Sequence, residues 1–182
     1  MGTNSNLATT RHCTGSRTSA RRRPGGLAPA GRRLHVVDVE NLLGTGRPLP
    51  AQLAWGARTY RRLTDVGPDD LVVVASSPFL GVEVGRCWAS CRLVVGHGPD
   101  GADHALLRVL TDERVDRRFP EVIVASGDGI FTDQVARLQH HHVEVTVVSR
   151  ATALARRLRL AASSLIEFPP TTPADITALS AA

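Results

Sequence analysis

The 182-residue chain predicts an α/β fold: a three-layer α/β/α sandwich on a Rossmann-like parallel sheet of about five strands. Three observations predict it. Short, near-continuous apolar runs such as LHVVDV, LVVVAS and EVIVAS have the composition of strands covered on both faces. They alternate with segments whose apolar residues recur at helical spacing. Acidic residues stand at or just past the ends of two of these runs, where an open parallel sheet places its ligand crevice.

In chain order, LHVVDV is the first strand. Residues 48–66 form a helix with Leu49, Leu53, Trp55, Ala57, Tyr60 and Leu63 on its apolar stripe. Pro48 suits an early helical position, and Gly67-Pro68 ends the helix. LVVVAS (71–76) is the second strand, and residues 78–88 form a short helix weakened by Gly81 and Gly85. CRLVVG (91–96) is the third strand, followed by a helix over 102–115 with Leu106, Leu107 and Leu110 on one side. EVIVAS (121–126) is the fourth strand, 131–140 a helix, and VEVTVVS (143–149) the fifth strand. A helix over 152–162 carries Arg156, Arg157 and Arg159 outward, LIEF (165–168) is a short candidate last strand, and Pro169-Pro170 closes the domain.

The expected organisation is therefore a disordered Arg-rich arm over 1–32, one domain over 33–168 and a disordered tail over 169–182. Residues 1–33 hold seven Arg and no acid, which leaves the remainder at −2 by difference from the whole-chain +5. The arm has the charge to bind nucleic acid phosphates, and a transit peptide has a similar composition. Every basic residue apart from His is Arg, which excludes Schiff-base chemistry and a Walker-type phosphate-binding lysine. No apolar run reaches the roughly 20 residues needed to cross a bilayer, so no membrane partner is expected. Three cysteines, Cys13, Cys87 and Cys91, leave an odd thiol and fit a reducing, cytoplasmic location. Cys87 and Cys91 with His97 and His104 lack the two clear ligand pairs of a structural zinc site, and half-buried cysteines at a helix–strand junction are the plainer expectation. The His140–His142 run reads as a solvated turn.

The carboxylates carry the chemistry. Asp38 ends the first strand, Asp103 opens the helix of GADHALL, and Asp128 follows the fourth strand inside SGDG. Three carboxylates meeting at one rim repel each other at neutral pH, and a hard cation removes that repulsion. Asn41, three residues after Asp38, offers a donor and an acceptor to orient Asp38 or a water. Ser126 offers a hydroxyl to a carboxylate or a phosphate, and Gly127 lets the backbone approach a ligand. Asp133 either adds a fourth carboxylate or stabilises the start of the next helix. Each Asp alone also fits ordinary capping and turn chemistry. Glu40 either joins the set or faces solvent.

DVEN, GADHALL and SGDGIF, followed by a helix and VEVTVVS, together resemble the NYN domain family of the PIN-like ribonuclease superfamily, over about residues 33–168. The resemblance implies a PIN-like fold with the fourth strand beside the first, a Mg²⁺ or Mn²⁺ site, and cleavage of RNA to leave a 5′-phosphate. It places the family's first acid and its Asn on Asp38 and Asn41, its middle acid on Asp103, and the acid of its SGD motif on Asp128. It departs from the family at Ile130, where many members carry a second acid, and at His97, where many carry Lys and where a protonated imidazole would contact phosphate. The function this supports is a metal-dependent endoribonuclease with Asp38, Asp103 and Asp128 on the metal and RNA as partner, single-stranded or structured, with a homodimer left open. The alternative is a non-catalytic module that binds RNA or a nucleotide, motivated by Ile130. A dinucleotide fold is disfavoured, because no G-x-G-x-x-G follows the first strand.

Overall fold

Six parallel strands form one sheet in the order β3-β2-β1-β4-β5-β6. The computed structural model describes residues 31–172; Cys13, the expected arm as far as residue 30 and the expected tail from residue 173 lie outside the described residues. The strands are β1 (Leu34–Asp38), β2 (Leu71–Ser76), β3 (Arg92–Val95), β4 (Glu121–Ala125), β5 (Glu144–Ser149) and β6 (Ser164–Glu167). The sheet is thus one strand larger than the main sequence expectation of about five, because the LIEF region pairs with β5 from Ser164 to Glu167.

The helices are α1 (Val39–Leu43), α2 (Pro50–Thr64), α3 (Gly81–Cys87), α4 (Gly101–Asp112), α5 (Val115–Arg118), α6 (Thr132–His140) and α7 (Arg156–Ala161). Successive strand residues point to opposite faces, and the core divides accordingly. Val36, Val73, Val122, Val124, Val145 and Val147 pack with Leu106, Leu110, Phe131, Val135, Leu138 and Leu158 on one face. Val37, Val72, Val74, Ile123 and Val148 pack with Leu42, Leu53, Tyr60, Val84 and Trp88 on the other. Both faces of the central strands β1, β2 and β4 are buried, which is why those runs are mostly Val, Ile, Leu and Ala, with His35 a buried exception.

Three helical stretches differ from the sequence pattern for local reasons. α1 fits between β1 and α2 because Asp38 caps its start and Gly44, at φ 74°, ends it; a five-residue helix is too short for an apolar period to reveal. The segment expected as one helix over 102–115 breaks at Arg114, which takes a left-handed φ of 51°, so that α5 turns to bury Val115. The last helix starts only at Arg156, because the Ala155 N–H donates to the Gly127 carbonyl at 2.8 Å and draws residues 151–155 into a loop against β4.

At the amino ends of β1 and β2, a buried polar latch fixes where the chain enters the sheet. Asp70 accepts hydrogen bonds from the Arg33 backbone N–H at 2.9 Å, from Arg33 Nε at 3.0 Å and from the Gly67 N–H at 2.8 Å. His35, fully buried in β1, has Nε2 3.2 Å from the same carboxylate and Nδ1 2.8 Å from the Tyr60 hydroxyl. Burial pushes the imidazole pKa down to about 4, so at neutral pH it is uncharged. Its Nε2–H then donates to Asp70, and Nδ1 accepts from Tyr60. Removing Asp70 takes the carboxylate partner from Arg33, whose guanidinium keeps the Thr64 and Asp65 carbonyls, and leaves the buried His35 Nε2 without its acceptor. Asp70→Ala is expected to cost about 3 kcal/mol of unfolding free energy, read as a lower urea midpoint at unchanged slope.

Candidate active site

The order β3-β2-β1-β4-β5-β6 reverses direction between β1 and β4. At such a reversal the connections on either side lead to opposite faces of the sheet, leaving a crevice at the carboxyl ends of the strands. β1 and β4 run in parallel register from Leu34↔Val122 to Val37↔Ala125. The residues that follow, Asp38 and Ser126, therefore emerge side by side. A cavity of about 400 Å³ opens there, lined by Asp38, Glu40, Asn41, Asp100, Asp103, Asp128 and Arg150 among others.

Asp38 is 4 % exposed. Its Oδ1 accepts the Asn41 N–H at 3.1 Å, and its Oδ2 accepts from Ser126 Oγ at 3.4 Å. Ser126 Oγ also accepts the Asp128 N–H at 3.2 Å, so one hydroxyl ties the β1 carboxylate to the SGDG turn. Asn41 makes the second tie, its Oδ1 accepting the Gly127 N–H at 2.9 Å. Asp103 reaches the cavity from the first turn of α4. The preceding loop folds so tightly that a Cβ on Gly96 would fall 1.9 Å from the Gly101 carbonyl carbon, which leaves only glycine at that crossing.

Asp103 is 9 % exposed, and its Oδ1 is buried with no hydrogen-bond partner among the described residues. Burial raises its pKa to about 8, and the neighbouring charges of Asp38, Asp128 and Asp100 push in the same direction. Burial likewise raises Asp38, whose carboxyl interacts with that of Asp103. An orphaned oxygen beside a second buried carboxyl is a donor set suited to a hard cation. The fit is to two closely placed carboxylates: among the described residues no three His, Cys, Asp or Glu side chains stand ready to grip one ion. Asp128 lines the same cavity but is exposed, and its Oδ1 accepts the Ile130 N–H at 2.9 Å as the cap of a 3-10 turn.

The remaining sequence candidates are placed differently. Asp133 is exposed in the first turn of α6 and does not line the cavity; its position is that of a helix-start acid. His97 is exposed in the loop before α4 and is not part of the lining, although Gly96 and Gly98 are. Gly127 is buried and committed to packing rather than open to a ligand: a Cβ there would sit 2.4 Å from both the Ala153 carbonyl oxygen and Ser149 Oγ. Glu40 does not face solvent as one of the two sequence expectations had it. Its Oε1 accepts the Ser77 N–H at 2.8 Å, joining the tops of β1 and β2 beside the cavity. Arg150 was missed altogether, because a lone Arg after a strand carries no motif. Cys87 and Cys91 are free, half-buried, and packed against the second core cluster. A larger recess of about 670 Å³ lies at the opposite rim around Arg33, Asp70 and Glu121. Its carboxylate Asp70 is already saturated by hydrogen bonds, so the smaller, carboxyl-end cavity is the candidate site.

The NYN domain family model matches residues 82–169. Over those residues the chain is similar to the NYN domain family. The match takes in Asp103, Asp128 and Arg150, whereas Asp38 and Asn41 lie before it and join the site through the β1–β4 pairing. A crystal structure of a protein of unknown function from Vibrio parahaemolyticus is similar in fold, with a TM-score of 0.54 at 16 % identity over 78 % of this chain and 96 % of that one. No curated protein matches the chain. This family match and the α/β fold agree with the PIN-like nuclease superfamily that the sequence motifs resemble, and no helix among the described residues is long and apolar enough to cross a membrane.

Two outcomes follow from this geometry. Asp103 holds its proton in the folded chain up to about pH 8 but releases it near pH 4 when unfolded. Its contribution to stability is therefore full at low pH and lost as pH rises toward 8. Asp103→Asn removes that loss, so its melting temperature in EDTA should rise relative to that of the wild type between pH 5 and pH 8.5. Gly127→Ala should destabilise the fold by about 2 kcal/mol through overpacking, measured by urea unfolding.

Proposed function

We propose that this chain is a divalent-cation-dependent ribonuclease of the NYN type whose site is built on Asp38 and Asp103, with Asp128 at its edge. The observation that carries the reading is the orphaned Asp103 oxygen buried against Asp38 at the β1–β4 crevice. Two carboxyls buried side by side oppose each other's ionisation, and that cost makes sense where a cation is to be received. Asp38 and Asp103 would hold Mg²⁺ or Mn²⁺. When bound, the cation supplies a water of lowered pKa and neutralises charge on the scissile phosphate. Ser126 keeps the Asp38 carboxylate in one rotamer, and Asn41 locks the β1 loop to the β4 loop so that the two carboxyls keep their relative position. Asp128, held by its own turn, adds negative charge at the mouth. RNA is the substrate class that the family implies, and the cytoplasm the compartment that the thiol content fits.

A second reading, a non-catalytic RNA-binding module, has its own support. Asp128 is spent on a local cap, and Ile130, 36 % exposed, occupies the place of a further acid.

Purified protein is incubated with a labelled single-stranded RNA in Mn²⁺ or in EDTA. Cleavage is expected in Mn²⁺ alone. Asp38→Asn keeps Oδ1 for the Asn41 N–H and turns Nδ2 toward Ser126 Oγ, which can accept, so it should fold normally while losing on the order of 100-fold or more in rate. Equal degradation by wild type and variant would mark a contaminant. No cleavage and no thermal shift with Mn²⁺, together with RNA affinity that survives EDTA, would favour the binding module.

A further inference from the structure

Arg150 leaves the end of β5 and is the one cation among the described residues lining a cavity that also holds Asp38, Glu40, Asp100, Asp103 and Asp128. It is held by a neutral group. Nε and Nη2 donate to the Asn41 carbonyl oxygen at 3.3 and 3.2 Å, and no carboxylate among the described residues forms an ion pair with it. Its guanidinium lies over Gly44, where a Cβ would come within 2.5 Å of Cζ and 2.7 Å of Nη1. Gly44 also has a φ of 74°, so the missing side chain serves both the turn and the seat of the arginine.

An arginine has five N–H donors. The Asn41 carbonyl engages one edge, Nε and Nη2. The other edge, both Nη1 hydrogens and the second on Nη2, is left, and that fork matches two oxygens of a phosphate. A fixed cation among carboxylates, paired with none of them, is placed for an anion that comes from outside. We propose that Arg150 is the phosphate-binding residue of the site: pinned by Asn41 over Gly44, it grips the non-bridging oxygens of an RNA phosphodiester entering the acidic cavity. The choice of RNA rests on the ribonuclease reading above. The same contacts explain how a cavity rich in acids admits a polyanion at all, since without Arg150 its lining offers no positive side chain.

Wild type, Arg150→Lys and Arg150→Gln are compared on one labelled single-stranded RNA, by steady-state cleavage in Mn²⁺ and by binding in Ca²⁺ across a salt series. Arg150→Gln is expected to raise KM and weaken binding about 10-fold or more, and to reduce the salt dependence of log Kd by about 0.7, the value of one phosphate contact on a single strand. Arg150→Lys should keep the salt dependence but recover only part of the affinity, because it carries the charge without the fork. A loss of melting temperature alone, with KM and salt dependence unchanged in Arg150→Gln, would make Arg150 a structural clamp and overturn the proposal. If the wild type binds RNA without cutting it, the nuclease reading fails while the binding series still decides the role of Arg150. If the wild type does neither, both are overturned.

Discussion

The pairing of β1 with β4 is the constraint on which the rest of the molecule depends. These strands are 83 or more residues apart in the chain, yet they lie side by side in parallel register from Leu34↔Val122 to Val37↔Ala125. The register leaves little freedom, because a shift of one residue would exchange the two faces of the strand. Val36 and Val124 would leave one core cluster, Val37 and Ile123 the other. Correct burial therefore fixes, without further contacts, that Asp38 and Ser126 leave the sheet together. The hydrogen bonds of Ser126 and Asn41 refine a meeting that the hydrophobic core has already arranged.

Much of this was legible in the sequence, and the limits are physical. The strands declared themselves because burial on both faces favours apolar residues; Asp38 and Asp128 stood out because charge follows closely on those runs, and Asp103 because it opens a helix. What could not be read was the direction of each side chain once the loops had folded. Asp128 and Asp133 look alike as acids near one turn, but one lines the cavity and caps a 3-10 turn while the other lies exposed on α6. Glycines gave the least away. Gly44, Gly96 and Gly127 each answer to a partner distant in sequence or to a loop crossing, and no local pattern records the atom that a Cβ would strike. Arg150 was invisible for the same reason, since its role is defined by the Asn41 carbonyl 109 residues earlier.

The two ends of the sheet treat buried charge in opposite ways. At the amino end, Asp70 is surrounded by donors from Arg33, Gly67 and His35, which hold its carboxyl well below the usual range despite burial. At the carboxyl end, Asp103 has an oxygen with no donor, and its carboxyl is pushed upward. The chain thus satisfies an acid where it needs rigidity and leaves one unsatisfied in the crevice. The contrast lies within one sheet and one small domain, so it reflects local composition of donors rather than overall depth.

The Arg33–Asp70 latch also sets the geometry of anything that precedes it. It anchors the polypeptide at the rim opposite the carboxylate crevice, and β1, five residues long, separates the two by about 17 Å at the usual strand rise. Any upstream segment starts its path on the wrong side of the molecule. To reach the Asp103 crevice it would have to double back over the sheet edge or a helical layer, consuming at least five or six extended residues.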